Sequence, residues 1–400
     1  MSATPGSRAR LPRAVIVLGA VSFLNDLASD IVIPLIPLLL ATVLQSGPLA
    51  LGLIEGVADA IASLLKLWSG RHSDRMQGRR KGLVVAGYSL SNIARPLLGL
   101  AGAWGTVLIL RALDRVGKGI RSAPRDALLA DVTPPPMRGY AFGFHRALDN
   151  GGAVAGSLAA AAVLAWSGMG LREVILWSAL PGVLAVLVLV AGVRDPSRGA
   201  GDQSAPLPPL RWAGLAPPLR RYLGALGLFT LARASETFIL LRGHELGIGA
   251  VELLVLWATL NLAKALTATW GGRLADRLGR EALLLAGWTA FALAFLLYGT
   301  VSDSPGLWAV TLPYGLFMGL TEGAERAAVS DYCGPAERGT GFGWYYLVVG
   351  LAAIPGGLLF GAVWAWQGAP SAFVYASCVA GIACLFLRLR AWPSSASRTP

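Results

Sequence analysis

The chain contains the same charged loop twice. Gly70-Arg71-His72-Ser73-Asp74-Arg75 recurs as Gly272-Arg273-Leu274-Ala275-Asp276-Arg277, and each copy is followed by a Gly-Arg pair, Gly78-Arg79 and Gly279-Arg280. The aspartates are 202 positions apart (276 − 74), half of a 400-residue chain. Both loops lie between long apolar runs. A charged loop repeated at half-length between hydrophobic segments implies two homologous halves inside a membrane. The repeat continues beyond the loops: Asp131, Arg138, Gly139, Phe142 and Gly143 recur as Asp331, Arg338, Gly339, Phe342 and Gly343, each offset by 200.

Apolar residues make up 55% of the chain and charged residues 14%, with a mean hydropathy of +0.60, too apolar for a soluble protein of this size. Apolar runs of about 20 residues read as membrane spans. Twelve are found, near 14–42, 47–69, 82–102, 105–130, 140–166, 172–193, 221–241, 249–270, 282–301, 306–332, 340–364 and 370–388. Lys and Arg concentrate at the N-terminus, in the 2–3 and 8–9 loops, between spans 6 and 7, and at the C-terminus, whereas the 1–2, 3–4, 9–10 and 11–12 connections have none. By the positive-inside rule both termini are cytoplasmic, which suits a multi-pass protein of the cytoplasmic (inner) membrane. The same distribution accounts for the net charge of +12 and argues against nucleic acid as a partner.

The first run carries Asn25, Asp26 and Asp30, too polar for a cleaved leader, and reads as a permanent helix. Cys333, Cys378 and Cys384 give no metal spacing and, being odd in number, no disulfide framework. No GxxxxGK[ST] loop is present and no catalytic constellation emerges, so neither an ATP-driven pump nor an enzyme is expected, and no cofactor or bound metal. Pro196, Pro206, Pro208 and Pro209, set among Gly, Ser and Asp, mark a cytoplasmic linker over 194–220. It divides an N-terminal six-helix bundle, 1–193, from a C-terminal one, 221–400.

These features resemble the major facilitator superfamily over nearly the whole chain. The GxxxDRxGR loop between helices 2 and 3 is that superfamily's signature. The second copy fits it closely, through Gly272, Asp276, Arg277 and Arg280, while the first, through Gly70, Asp74, Arg75 and Arg79, carries Met76-Gln77 where one residue is usual. The glycines allow close helix approach, and the aspartates can accept from a neighbouring helix N-terminus. In helix 4, Arg115-Val-Gly-Lys118-Gly119-Ile-Arg121-Ser-Ala123 resembles the RxxQGxGxA pattern of the proton-coupled antiporters, with Lys118 at the usual Gln and Arg121 at the usual second Gly. The antiporters' helix 5 Gly-Pro pair is not intact, since Gly156 is followed by Ser157. The resemblance implies an all-α membrane fold of two pseudo-symmetric six-helix bundles. It also implies a monomeric secondary transporter working by alternating access, and leans towards proton-coupled efflux of small molecules.

Ionisable side chains at bilayer depth cost at least a few kcal/mol, so they are paired, face a cavity or act in transport. Helix 4 holds Arg111, Asp114, Arg115, Lys118, Arg121, Arg125 and Asp126. Arg111, Arg115 and Lys118 share one helix face, and so many cations need acids from other helices or an anionic ligand. Asp26 lies roughly 18 Å along helix 1 with Asp30 one turn above it, near the depth of Arg115. In the superfamily's arrangement helices 1, 4, 7 and 10 line the central cavity, so Asp26 and Asp30 are expected to face Arg111, Arg115 or Lys118. Asp149 is expected level with Arg121, and Arg146 level with Asp126.

Helix 2 adds Glu55 and Asp59; helix 7 has Arg233 and Glu236, helix 8 Asn261 and Lys264, and helix 10 Tyr314, Glu322, Glu325 and Arg326. Glu325-Arg326 matches Arg125-Asp126 at the 200-residue offset with charges reversed, which suits either a gate or local packing pairs within each half. The expected substrate and proton pathway is therefore Asp26, Asp30, Asp59, Arg111, Arg115, Lys118, Arg121, Asp149, Arg233, Glu236, Asn261 and Glu322. Asp26, Asp30, Asp59 and Glu236 are the candidate proton carriers, Asp30 first among them. Two other cargoes stay open. The acids of helices 1 and 2 could supply oxygen ligands to a divalent cation for export, and the cations of helix 4 suit proton-coupled uptake of an anionic metabolite.

Overall fold

The computed structural model describes residues 11–75, 80–133, 138–195, 211–278, 280–331 and 338–391. Long apolar stretches with no water to satisfy their backbone must close their hydrogen bonds internally, and the described residues are helical with no strand. Twelve membrane-length segments follow one another. They are α1 (Arg13–Val32), α2 (Pro48–Arg75), α3 (Lys81–Leu97), α4 (Trp104–Asp131), α5 (Arg138–Trp166), α6 (Leu171–Trp177 and Ala179–Gly192), α7 (Pro217–Ala232 and Thr237–Glu245), α8 (Ala250–Leu278), α9 (Arg280–Thr300), α10 (Ser304–Asp331), α11 (Arg338–Gln367) and α12 (Ala369–Phe386). Ten of these stretches are long and apolar enough to cross a membrane by composition alone. The two outside that count, α4 and α10, are the same element of each half.

The interruptions have local causes. Pro34 and Pro37 lack the amide that would continue α1, which runs on to Val43 through a tight turn and a wide one. Pro181 removes the bond to the carbonyl of Trp177, and α6 breaks at Ser178. The helix 7 segment, expected to be continuous, unwinds between Ala232 and Thr237, where no Pro or Gly is present.

In the N-terminal half α1 packs on α5 and α6, and α4 packs on α2 and α3. In the C-terminal half α8 packs on α10, α9 on α12, and α7 on α11 and α12. The halves meet along α2–α11 and α5–α8, pairs that exchange under the pseudo-two-fold. Small residues make the first of these contacts possible. A Cβ at Gly56 would lie 2.8 Å from the carbonyl oxygen of Ala353, and one at Gly361 would lie 2.7 Å from that of Pro48; Gly52 and Gly357 are held as tightly against each other.

With an even number of crossings both chain ends lie on one face of the molecule. On the opposite, far face, the extension of α1 at Ile36–Leu38 packs against Thr237–Glu245 of α7, closing the halves together. On the terminal face α4 shares no extensive contact with α10 or α11 among the described residues. The cleft between the bundles is therefore sealed on the far face.

Candidate functional site

The centre of the N-terminal half is built on α4. The side chain of Arg111 is 1% exposed and reaches across to α2, donating from Nε to Glu55 Oε1 at 3.2 Å and from Nη2 to Glu55 Oε2 at 3.3 Å. Its Nη1 donates to Asp114 Oδ2 at 3.0 Å, one turn along α4. Asp114 also accepts from Arg95 Nε of α3 at 2.8 Å. Arg95 Nη1 then donates to the backbone oxygen and Oδ1 of Asn25 on α1, both at 3.0 Å. Four helices are joined by this one chain of charge-assisted bonds. Low local dielectric strengthens each bond and makes each unmade one costly. Arg121 is held differently: Nη1 donates to Ser91 Oγ at 2.7 Å and the guanidinium lies 4.5 Å over the Tyr88 ring.

Two polar contacts cross between the halves in the sealed part of the cleft. Trp257 Nε1 of α8 donates to Asp30 Oδ1 of α1 at 3.0 Å, with both side chains buried. Ser235 Oγ, in the break of α7, lies 3.5 Å from Glu55 Oε2. Non-helical backbone at membrane depth is tolerated only where protein or a cavity covers it. The break places Arg233, Ser235 and Glu236 in the interior, the arrangement by which discontinuous helices build transport sites.

The C-terminal half gathers its charges around that break. Arg233 Nη1 donates to both carboxylate oxygens of Glu325 at 3.2 Å, and Glu325 also accepts from Trp288 Nε1 at 3.3 Å and Tyr345 Oη at 3.4 Å. Glu236 pairs with Lys264 of α8 and accepts from Tyr314 Oη at 2.9 Å. Asn261 Nδ2 donates to the backbone oxygen of Trp257 at 3.0 Å, one turn back on α8.

Several expected partnerships take another form. Arg111 does not face Asp26 or Asp30, because Glu55 and Asp114 occupy it. Asp30 turns instead to Trp257. Asp26 accepts from Asn25 Nδ2 at 2.8 Å and lies within electrostatic reach of Lys118 and Arg121. Asp149 accepts from Ser22 Oγ and lies 3.6 Å from His145 Nδ1, not with Arg121. Arg125 pairs with its own neighbour Asp126 at 2.9 Å and donates to Ser22 Oγ at 3.3 Å, so its contacts stay within the N-terminal half, as those of Glu325 stay within the C-terminal half. Asp59 is exposed. Gly70 of the first loop packs within 3.3 Å, measured from an added Cβ, of Ala123 on α4. Asp74, Arg75, Arg79, Gly272, Asp276, Arg277, Arg280, Glu322 and Arg326 lie outside the residues whose side chains are described.

The sequence reading missed Arg95, Trp257 and Asn92, whose Oδ1 accepts from Arg95 Nη1 at 3.2 Å. Arg95 stands inside an apolar run directly before Pro96, which by the same cost argument that singled out helix 4 was a usable signal; its side chain is buried, 2% exposed. Nothing in the sequence marks Trp257 apart from the other twelve tryptophans.

The family described as the Major Facilitator Superfamily matches residues 18–239 and again 222–399. An uncharacterized MFS-type transporter of Methanocaldococcus jannaschii is 31% identical over 384 residues, covering 94% of each chain. The chain belongs to the major facilitator superfamily. It is thus an integral, multi-pass membrane transporter of a small molecule, not an enzyme, with twelve helices in two bundles.

Solved transporter structures agree in fold. The nucleoside transporter NupG superposes with a TM-score of 0.74 at 14% identity, covering 95% of this chain and 100% of that one. A D-xylose–proton symporter superposes with a TM-score of 0.70 at 17% identity, covering 96% and 98%. At these identities the likeness is one of fold alone.

Proposed function

We propose that this chain is a proton-coupled secondary transporter that carries its solute by rocking the two bundles about the cleft, with Asp30 as the coupling carboxylate and export as its direction. One observation carries the coupling assignment. Among the described acids of α1, α2 and α4, Glu55, Asp114, Asp126 and Asp131 are each bound by arginine, Asp59 is exposed, and Asp26 is half-buried and bonded to its own neighbour Asn25, whereas Asp30 is buried and held across the bundle interface by a neutral indole. An arginine-bound carboxylate stays ionised; one held only by a neutral donor can exchange a proton. Its bond to Trp257 must also break for the far face to open. Protonation and rocking are thus linked at one atom, because a neutral carboxyl accepts more weakly than an ionised one.

The charged groups around Asp30 are Asp26 on its own helix, Lys118 on α4 and Arg95 on α3. Export rests on the likeness of Arg115–Ala123 to the antiporter pattern. The cytoplasmic membrane and inward-facing termini rest on the positive-inside distribution. A divalent-cation cargo finds less support, since Glu55 already binds Arg111, Asp30 is turned to Trp257, and no group of three metal-ligating side chains is found among the described residues.

The test uses proteoliposomes with an entrapped pH indicator and a panel of sugars, nucleosides, amino acids and organic anions. A member of that panel should drive proton movement with the wild-type chain. Asp30→Asn should abolish the proton movement while exchange of labelled against unlabelled solute persists. Undiminished proton movement in the variant would contradict the assignment.

A further inference from the structure

Two cations of α4 are left over once the network above has been formed. Arg115 is 8% exposed, and its Nε has no hydrogen-bond partner. Lys118 follows at i+3, on the same side of the helix, and like Arg115 it makes no ion pair or hydrogen bond from its side chain among the described residues. The charges that act on Lys118 are mostly of its own sign: Arg115, Lys66 and Arg121, against the single acid Asp26. Nearby acids cannot make up the difference. Glu55 and Asp114 are taken by Arg111 and Arg95. Asp59 lies within electrostatic reach of Arg115 but is exposed and forms no ion pair with it.

A buried guanidinium without a counter-charge is costly, and more so at bilayer depth. Arg115 is eleven residues into α4, about 17 Å along its axis, near the midplane and out of reach of a lipid headgroup seated at either surface. The counter-charge must then come through the cleft. A planar guanidinium fork next to a mobile ammonium matches the paired oxygens of a carboxylate or phosphate, which accept two parallel bonds from the fork and a third from the lysine.

We propose that Arg115 and Lys118 bind the oxyanion group of the transported solute, so that the substrate is a small molecule bearing a carboxylate or a phosphate. This deepens the transport reading and rests on it. Arg121 also leaves its Nε without a partner, but its Nη1 is bonded to Ser91 and its guanidinium lies over the Tyr88 ring, which sets it apart from the pair. A carried anion leaves the interior-negative side of a membrane downhill in potential, in keeping with export.

The experiment is equilibrium binding to the purified full chain in phosphatidylcholine nanodiscs, read by calorimetry and thermal shift. The probes are succinate and inorganic phosphate, with glucose and tetraethylammonium as controls. Succinate or phosphate should bind and raise the melting temperature, as a ligand of the folded state does. Arg115→Gln and Lys118→Gln should each weaken that binding about tenfold or more, the loss of one charge-assisted contact. Lys118→Arg should restore most of it. The unliganded melting temperature should not fall in the Gln variants, since neither cation has a partner to lose; this separates ligand binding from a structural role.

Absence of binding by both anions, or binding undiminished in both Gln variants, would overturn the proposal. Competition by phosphatidylglycerol built into the nanodisc would hand the pair to a lipid headgroup and overturn it as well. Because binding is read at equilibrium, failure here leaves the proton-flux test of transport standing on its own.

Discussion

Trp257 and Asp30 are 227 residues apart in sequence and 3.0 Å apart in the structure, joined by a hydrogen bond from the indole Nε1 to a carboxylate oxygen. One belongs to each bundle, and both are buried where the halves close. A bond placed there stabilises only the conformation in which the far face is sealed. Trp257→Phe keeps the ring packing but leaves Asp30 without its donor, which costs about 1–3 kcal/mol. The sealed state should lose population by that amount, seen as faster labelling of cysteines placed on the far-face side of the cleft, while detergent melting of the separate bundles changes little.

Removing Glu55 should be among the most damaging single changes in the N-terminal half. Glu55→Ala removes two of the three charge-assisted bonds of Arg111, whose side chain is 1% exposed, and leaves it only the Asp114 it shares with Arg95; breaking a buried ion pair from one side costs about 3–5 kcal/mol. The melting temperature of the purified protein should fall sharply. The double variant Glu55→Leu with Arg111→Met should recover part of the loss, because two apolar side chains leave no stranded charge, although Asp114 still keeps Arg95.

The α2–α11 seam tests rocking by steric means. Gly361 and Gly56 face carbonyl oxygens at distances that admit no side chain. Gly361→Val should therefore wedge the far ends of α2 and α11 apart, costing about 1–3 kcal/mol in the sealed state. The expected readout is an increase in far-face accessibility with transport slowed and the protein still folded.

In the C-terminal half Glu325 is the equivalent hub, accepting from Arg233, Trp288 and Tyr345. Glu325→Gln keeps two neutral partners but uncouples the Arg233 charge. The break of α7 should become more mobile, measured as faster backbone hydrogen exchange over residues 233–237 than over the rest of α7.

Much of this was legible in the amino-acid order, and the limits have physical reasons. Helix number and the two halves could be read because lipid forces long uniform apolar runs, and because duplication left Asp74 and Asp276 in matching loops. The charge load of α4 was equally plain. Partner choice was not. Asp30 looked suited to an arginine by depth, but depth fixes only one coordinate, and the azimuth of each helix decides whether Glu55 or Asp30 meets Arg111. The break at 233–236 left no Pro or Gly as a marker, since it is held by the charges that Arg233 and Glu236 send to neighbouring helices. Trp257 was invisible as a partner because an apolar run with many tryptophans gives no reason to choose one of them.

The most direct test of the central claim, that Asp30 couples protonation to opening of the far face, needs no substrate. Spin labels on cysteines replacing Leu49 at the far end of α2 and Ala362 at the far end of α11 report whether the seam is closed. In the wild-type chain, lowering the pH should protonate Asp30, weaken its bond to Trp257 and shift the labels from a short separation to a longer one. Asp30→Asn should hold one distribution at every pH. A wild-type distribution that ignores pH, or a variant that shifts as the wild type does, would contradict it.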